Sequence, residues 1–395
     1  MNRSEILEKL NKYSSEPSFI YILARISARD FCGPVEDLLT HDNWDHLSYN
    51  EFAFLIGLWI KNADSTDSKK SEFQDKIFDD IYLLMNQLHL TYRLELPQPS
   101  EIKDINIYDF FDNGMYFQEG MFYSGTGAYD FQYIKWVIEK YSLDKQWILE
   151  NKSINISSVS EFFKKLRNTL QNCLNKRLLT SNLNINDRYL NLFCFSKDEL
   201  CNGNLDFENI LRNFVVDLPN KSNSTFSNIG DYNIFVEKPI IRLADGRFFV
   251  PNPLFVAEAL YESPFYWMCD DKSYCKTALS NRGEVAEKIT EKILTPIFGN
   301  NGTYKNIKIK KNREITITDI DVLVTYKDVA IIFQVKSKKL TLLSKKGDID
   351  SIHNDFKKAV SDAYEQGIIA KSCIENADSH IFEYDNSNRF FLIRK

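Results

Sequence analysis

Twenty-two residues towards the C-terminal end, Thr318 to Lys339 (TDIDVLVTYKDVAIIFQVKSKK), restrict the fold of this chain more than any other stretch. Two apolar runs, Val322–Tyr326 and Val329–Phe333, flank the dipeptide Lys327-Asp328, and β-rich runs around so short a turn predict a hairpin. Asp321 stands just before the first run, and Gln334-Val335-Lys336 closes the second. Alternation along a strand sends Gln334 and Lys336 to one face and Val335 to the other. An acid on one strand and a Gln/Lys pair ending its neighbour can then converge on one point. That pattern suits chemistry better than packing.

The surroundings extend the pattern. Ser280 is expected to cap a helix with Val285, Ile289 and Ile293 on one stripe, stopped by Pro296. On it Glu284 and Glu287 are three residues apart and so neighbour each other on the surface. A strand is expected near Tyr304–Ile309. After the hairpin, Ile349, Ile352, Phe356, Val360 and Ala363 predict a second amphipathic helix, ended by Gly367. Arg389–Ile393 reads as a last strand. A chain that stops inside a strand suits a piece of a longer protein.

This order of elements resembles the PD-(D/E)xK nuclease superfamily, whose restriction-endonuclease-like core runs αβββαβ with a mixed sheet flanked by helices. Gly283-x-x-x-Glu287 resembles the acid on the family's first helix, Asp321 its hairpin aspartate, and Gln334-Val335-Lys336 its terminal (D/E)xK. Gln334 departs from the usual carboxylate and resembles the QxK variant of the Mrr-like branch. The resemblance covers roughly the last 115 residues. It implies a Mg2+ ion, with Mn2+ able to substitute, held by Glu287, Asp321, the Gln334 side-chain oxygen and the Val335 carbonyl. Lys336 would orient or deprotonate the attacking water, or stabilise the charge that develops on phosphate. The implied activity is endonucleolytic hydrolysis of DNA, in a restriction or phage-defence setting. A degenerate fold that only binds nucleic acid or a protein is the alternative, and RNA is an alternative substrate.

Charge bears on the partner. The net charge of −6 by itself argues against nucleic acid, but residues 280–372 hold 17 Lys/Arg against 12 Asp/Glu, while residues 1–279 carry about −10. The basic excess gathers at Lys305–Arg313, at Lys338 and Lys339, and at Lys345 and Lys346, which are expected to contact phosphate beside the site. DNA is the expected partner ahead of RNA.

The rest of the 395 residues predicts an α+β multidomain protein. Residues 1–220 read as a mainly helical region, 221–279 as a β-hairpin plus a helix that Pro264 stops, and 280–395 as the nuclease-like domain. Glu51–Lys61 is apolar nearly all round and predicts a buried helix. The aromatic-dense stretch Phe110–Tyr141 carries no Lys or Arg before Tyr133, so it reads as core rather than a base-stacking surface. The helical region is expected to serve as a homo-oligomer or partner-protein surface, a sensor, or a DNA clamp. No apolar run approaches the ~18 residues of a membrane span. Seven cysteines occur without a C-x-x-C pair, so reduced thiols in the cytoplasm are expected.

Overall fold

A computed structural model of the protein describes residues 1–32, 46–63, 75–93, 122, 127–177, 185–384 and 389–390. They form two units. The first comprises Met1–Ile138, Lys145–Tyr266 and Leu342–Ile349; the second comprises Glu139–Asp144, Trp267–Thr341 and Asp350–Lys395. The division thus falls at Tyr266 rather than at residue 279, and the residues expected as a connector pack with the helices before them. The protein is α+β.

The first unit is built on helices α1 (Arg3–Ser14), α2 (Phe19–Phe31), α3 (Tyr49–Asn62) and α4 (Asp75–Arg93). Every residue from Glu51 to Ile60 is buried, as expected of a helix that is apolar on all sides. Ser48 and Glu51 close a reciprocal capping box that sets where α3 starts. Helix α5 (Val159–Arg177) buries Phe162, Leu166, Leu170 and Cys173, and α6 (Ile185–Phe193) packs on α2. A small sheet pairs β1 (Cys194–Phe195), β4 (Phe248–Phe249), β3 (Ile240–Arg242) and β2 (Val215–Asp217) in that order. The hairpin around Gly246 is therefore shorter than expected, because residues 234–237 form a helical turn. The aromatic stretch is core at Tyr133, Val137 and Tyr141, but Tyr129 and Phe131 are exposed; residues 110–121 and 123–126 lie outside the described residues.

Helix α7 (Pro253–Asp270) runs through Pro264. Burial of Leu260, Phe265 and Met268 around it offsets the roughly 3 kcal/mol that an internal proline costs. Helix α8 (Cys275–Phe298) departs from expectation at both ends. Ser280 is interior, and Pro296 lies in the last turn, where the N–H it lacks would have met the carbonyl of the exposed Lys292, close to the helix end. The buried stripe is Ala278, Val285 and Leu294, whereas Ile293 is exposed.

The second sheet holds β5 (Thr303–Lys310), β6 (Thr316–Tyr326), β7 (Val329–Phe333), β8 (Ile381–Tyr384) and β9 (Arg389–Phe390), in the spatial order β7-β6-β5-β8-β9. The hairpin forms as the sequence implies, with Tyr326 opposite Val329 and Lys327 at φ 52° in the turn. Each pairing is antiparallel, so the expected mixed sheet is not what forms among the described residues. The chain returns to lay β8 antiparallel against β5, with Phe382 opposite Ile309. Between β7 and β8 come α9 (Ile349–Phe356), a π-turn over Lys357–Ser361, and α10 (Asp362–Glu375). Gly367 does not end this helix, because Ala370 and Cys373 beyond it are buried in the sheet's core. The stripe expected to face inwards also splits: Ile352 is buried, but Phe356 and Val360 point to solvent.

Helices cover both faces of this sheet. On α8's side lie Leu294, Val322 and Val324; on α10's side lie Ile307, Ile309, Ile320, Leu323, Ala370 and Cys373. Ile320 and Val322 would share a face in a regular strand. They do not here, and the switch falls at Asp321.

Candidate functional site

The ladder between β5 and β6 runs through Lys305↔Val322 and Ile307↔Ile320 without a pair at Asn306 and Asp321. Asn306 has φ 55°, a left-handed conformation that few residues other than glycine adopt. This irregularity re-aims Asp321 where β7 ends. Its Oδ2 accepts the Val335 N–H at 2.6 Å, one step beyond the last ladder pair, Val322↔Phe333. The carboxylate thus takes the place of a ladder carbonyl and brings Asp321 and Val335 together.

Gln334 is fixed by its other end. Its Nε2 donates to the Asp319 carbonyl at 2.8 Å, which leaves Oε1 buried with no hydrogen-bond partner. A buried acceptor left open in this way costs about 1–3 kcal/mol. Natural structures carry few such groups, and one next in sequence to the residue that holds the Asp321 carboxylate is open to a cation. Asp321 is 9% exposed, whereas Asp319 faces solvent. Burial therefore separates two aspartates that the sequence distinguishes only by position.

Glu287 projects from α8 into the same electrostatic environment. Burial pushes its carboxyl up to about 7, with the Asp321 charge adding to the shift and Lys305 opposing it. Burial also raises Asp321, helped by the Asp319 charge and opposed by the Val335 N–H and Lys336. The oxygens offered in this region are those of two carboxyls that resist ionisation and an open amide. Oxygen donors suit a hard divalent ion such as Mg2+ or Mn2+, which binds few protein ligands and keeps several waters. Among the described residues no three His, Cys, Asp or Glu side chains converge as a metal site.

Lys336 is exposed at the end of β7, and its Nζ donates to Gln366 Oε1 at 2.7 Å. Gln366 lies on α10, and nothing in the hairpin pattern points to it. A signal did exist: Gln366 stands among Ala363, Ala370 and Cys373 at helical spacing, a polar residue within the inward stripe.

The lysines expected to contact phosphate are placed differently from one another. Lys338 Nζ lies 2.8 Å from Oδ1 of Asp355, which is 2% exposed and whose Oδ2 accepts the Thr341 N–H at 2.7 Å. Lys339 is exposed. Lys345 and Lys346 belong to the first unit, where Lys346 Nζ lies 2.7 Å from Asp231 Oδ1. Lys305, by contrast, acts directly on Glu287.

All seven cysteines are free thiols, and among the described residues no helix is long and apolar enough to cross a membrane. Comparison with known proteins gives no match to a family model, to a curated protein or to a solved structure.

Proposed function

We propose that the second unit is a divalent-metal-dependent nuclease, with DNA as substrate and Glu287, Asp321, Gln334 and Lys336 as its working side chains. The observation that carries this is the buried, unpartnered Gln334 Oε1 at the strand end whose Val335 N–H holds Asp321, a carboxylate that in turn acts on Glu287. Glu287, Asp321, Gln334 Oε1 and the Val335 carbonyl would hold the ion. Bound there, Mg2+ or Mn2+ would neutralise phosphate charge and acidify a water.

The chain's own residues supply positioning and charge. The Asp319 carbonyl fixes the Gln334 amide so that its oxygen, not its nitrogen, faces the site. The Val335 N–H fixes the Asp321 carboxylate in the same way. Gln366 is an uncharged acceptor, so it orients the Lys336 ammonium without neutralising it. Two of the three ammonium protons then remain for a non-bridging phosphate oxygen or the attacking water.

One observation favours a second reading, in which the unit binds nucleic acid or a protein without cutting. Among the described residues no three acidic side chains cluster as a metal site. Incubating the full chain with supercoiled plasmid, single-stranded DNA and RNA, in EDTA, Mg2+ or Mn2+, separates the readings. Metal-dependent nicking of plasmid that Asp321→Ala abolishes is the expected result, and cleavage confined to RNA would move the substrate. Retardation of DNA without cleavage in either metal would refute the enzyme and leave the binding module.

A further inference from the structure

The outward face of α9–α10 carries an unbroken apolar stripe. Phe356 is 58% exposed, Val360 48%, Tyr364 68% and Ile368 46%. Side chains four apart on an α-helix drift steadily round its axis, so three such steps would spread the row over a wide arc. The π-turn over Lys357–Ser361 takes more residues per turn and removes much of that drift between Phe356 and Tyr364. The helix thus carries an irregularity whose effect is to keep the exposed row straight, while its other side, through Ala370 and Cys373, serves the core.

We infer that this stripe is the contact between two copies of the chain, packed as antiparallel helices about a two-fold axis near Ser361–Asp362. The row is self-complementary about that point. An antiparallel partner places Phe356 against Ile368 and Val360 against Tyr364, bulky residue against smaller one in both pairs. The charges obey the same axis. Lys357 and Glu365 lie on one flank of the stripe, and their midpoint is Ser361, so each Lys357 meets the Glu365 of the other copy, twice per dimer. A parallel partner would lose both ion pairs.

The area fits a weak dimer. Four half-exposed large side chains present roughly 400 Å² of apolar surface per copy, within the range of the largest patch a monomer leaves uncovered. Two such faces bury roughly 800 Å², below the ~1,200 Å² of a stable interface, so association is weak and concentration-dependent.

Sedimentation of the full chain across a concentration series tests this, with thermal melts to confirm folding. The expected mass is that of two chains at tens of micromolar, and Tyr364→Glu halves it without changing the melt, because that side chain is exposed. Lys357→Glu and Glu365→Lys each weaken the dimer by about tenfold, since either reversal sets two like-charged pairs together. The double variant restores it. A chain that stays monomeric to 100 µM overturns the inference, as does a dimer that neither charge reversal nor Tyr364→Glu disturbs. A dimer broken by Tyr364→Glu but not rescued by the double variant refutes the antiparallel axis.

Discussion

Replacing Gln334 by methionine sets stability against metal binding. Methionine nearly matches glutamine in length and volume and adapts to its surroundings, so little repacking is required. It removes a buried acceptor with no partner, worth about 1–3 kcal/mol, and gives up the Nε2 bond to the Asp319 carbonyl, worth about 1 kcal/mol. Asp319 is exposed, so water replaces that bond. Without metal the variant is therefore more stable by about 1 kcal/mol, which for a unit of this size raises its melting temperature by about 3–5 °C. Metal reverses the order. Wild type at ten times the dissociation constant gains about 1.4 kcal/mol, and Gln334→Met gains almost nothing. Calorimetric melts in EDTA and in a MgCl2 or MnCl2 series would show the two curves crossing. Gln334→Glu, with a third carboxyl, should melt lower in EDTA and reach its plateau at less metal. A Gln334→Met protein that melts below wild type in EDTA would show that Oε1 is satisfied. A variant with the full metal response would show that Gln334 is not a ligand.

Four further outcomes follow from the geometry. Asp321→Asn should abolish metal-dependent cleavage and Asp319→Asn leave it within about threefold, because only Asp321 is buried against the end of β7; the reverse result in a plasmid assay would misplace the site. Gln366→Leu should lower kcat by about tenfold at unchanged KM, and Gln366→Glu should recover part of it, since Gln366 positions Lys336 rather than touching substrate. Lys338→Ala should cost about 1–3 kcal/mol in urea unfolding, because it removes the ammonium that lies 2.8 Å from the buried Asp355 carboxylate; no loss would return Lys338 to the phosphate contacts. Burial pushes Glu51 up to about 7, above its ordinary value in the unfolded chain, so folding is expected to lose up to about 3 kcal/mol as pH rises from 5 to 8; Glu51→Gln, which can still accept the Ser48 N–H, should remove that fall, and identical pH profiles would contradict it.

What the sequence reveals depends on how local the deciding interactions are. The hairpin is legible because alternation and a two-residue turn act within 18 residues, and Val322–Tyr326 pairs with Val329–Phe333 as its pattern requires. The irregularity at Asn306 is not, since a left-handed asparagine opposite an aspartate follows from how two strands cross. Pro264, Pro296 and Gly367 were read as stops by rules that hold for isolated helices, and burial on either side of Pro264 and beyond Gly367 outweighs them. Phe356 and Val360 belong to the amphipathic pattern and yet are exposed, because periodicity reports that a helix has an apolar face without saying what covers it. Of the candidate site, Asp321, Gln334, Val335 and Lys336 were visible together. Gln366 was not, because its partner is 30 residues away.

The tie between Asp321 and Val335 also bears on the order in which the site comes into being. One short loop closure at Lys327-Asp328 brings Asp321, Gln334, Val335 and Lys336 into register, and hairpins of this kind close in about 1–10 μs. Glu287 and Gln366 arrive only when α8 and α10 dock on opposite faces of the sheet, at greater sequence separation and therefore later. During folding the strand-end half of the site precedes the helical half. On the proposed ligand set, a metal ion present in that interval would meet an incomplete set of oxygens, and its retention would mark the docking of α8, since Gln366 on α10 orients Lys336 and holds no metal.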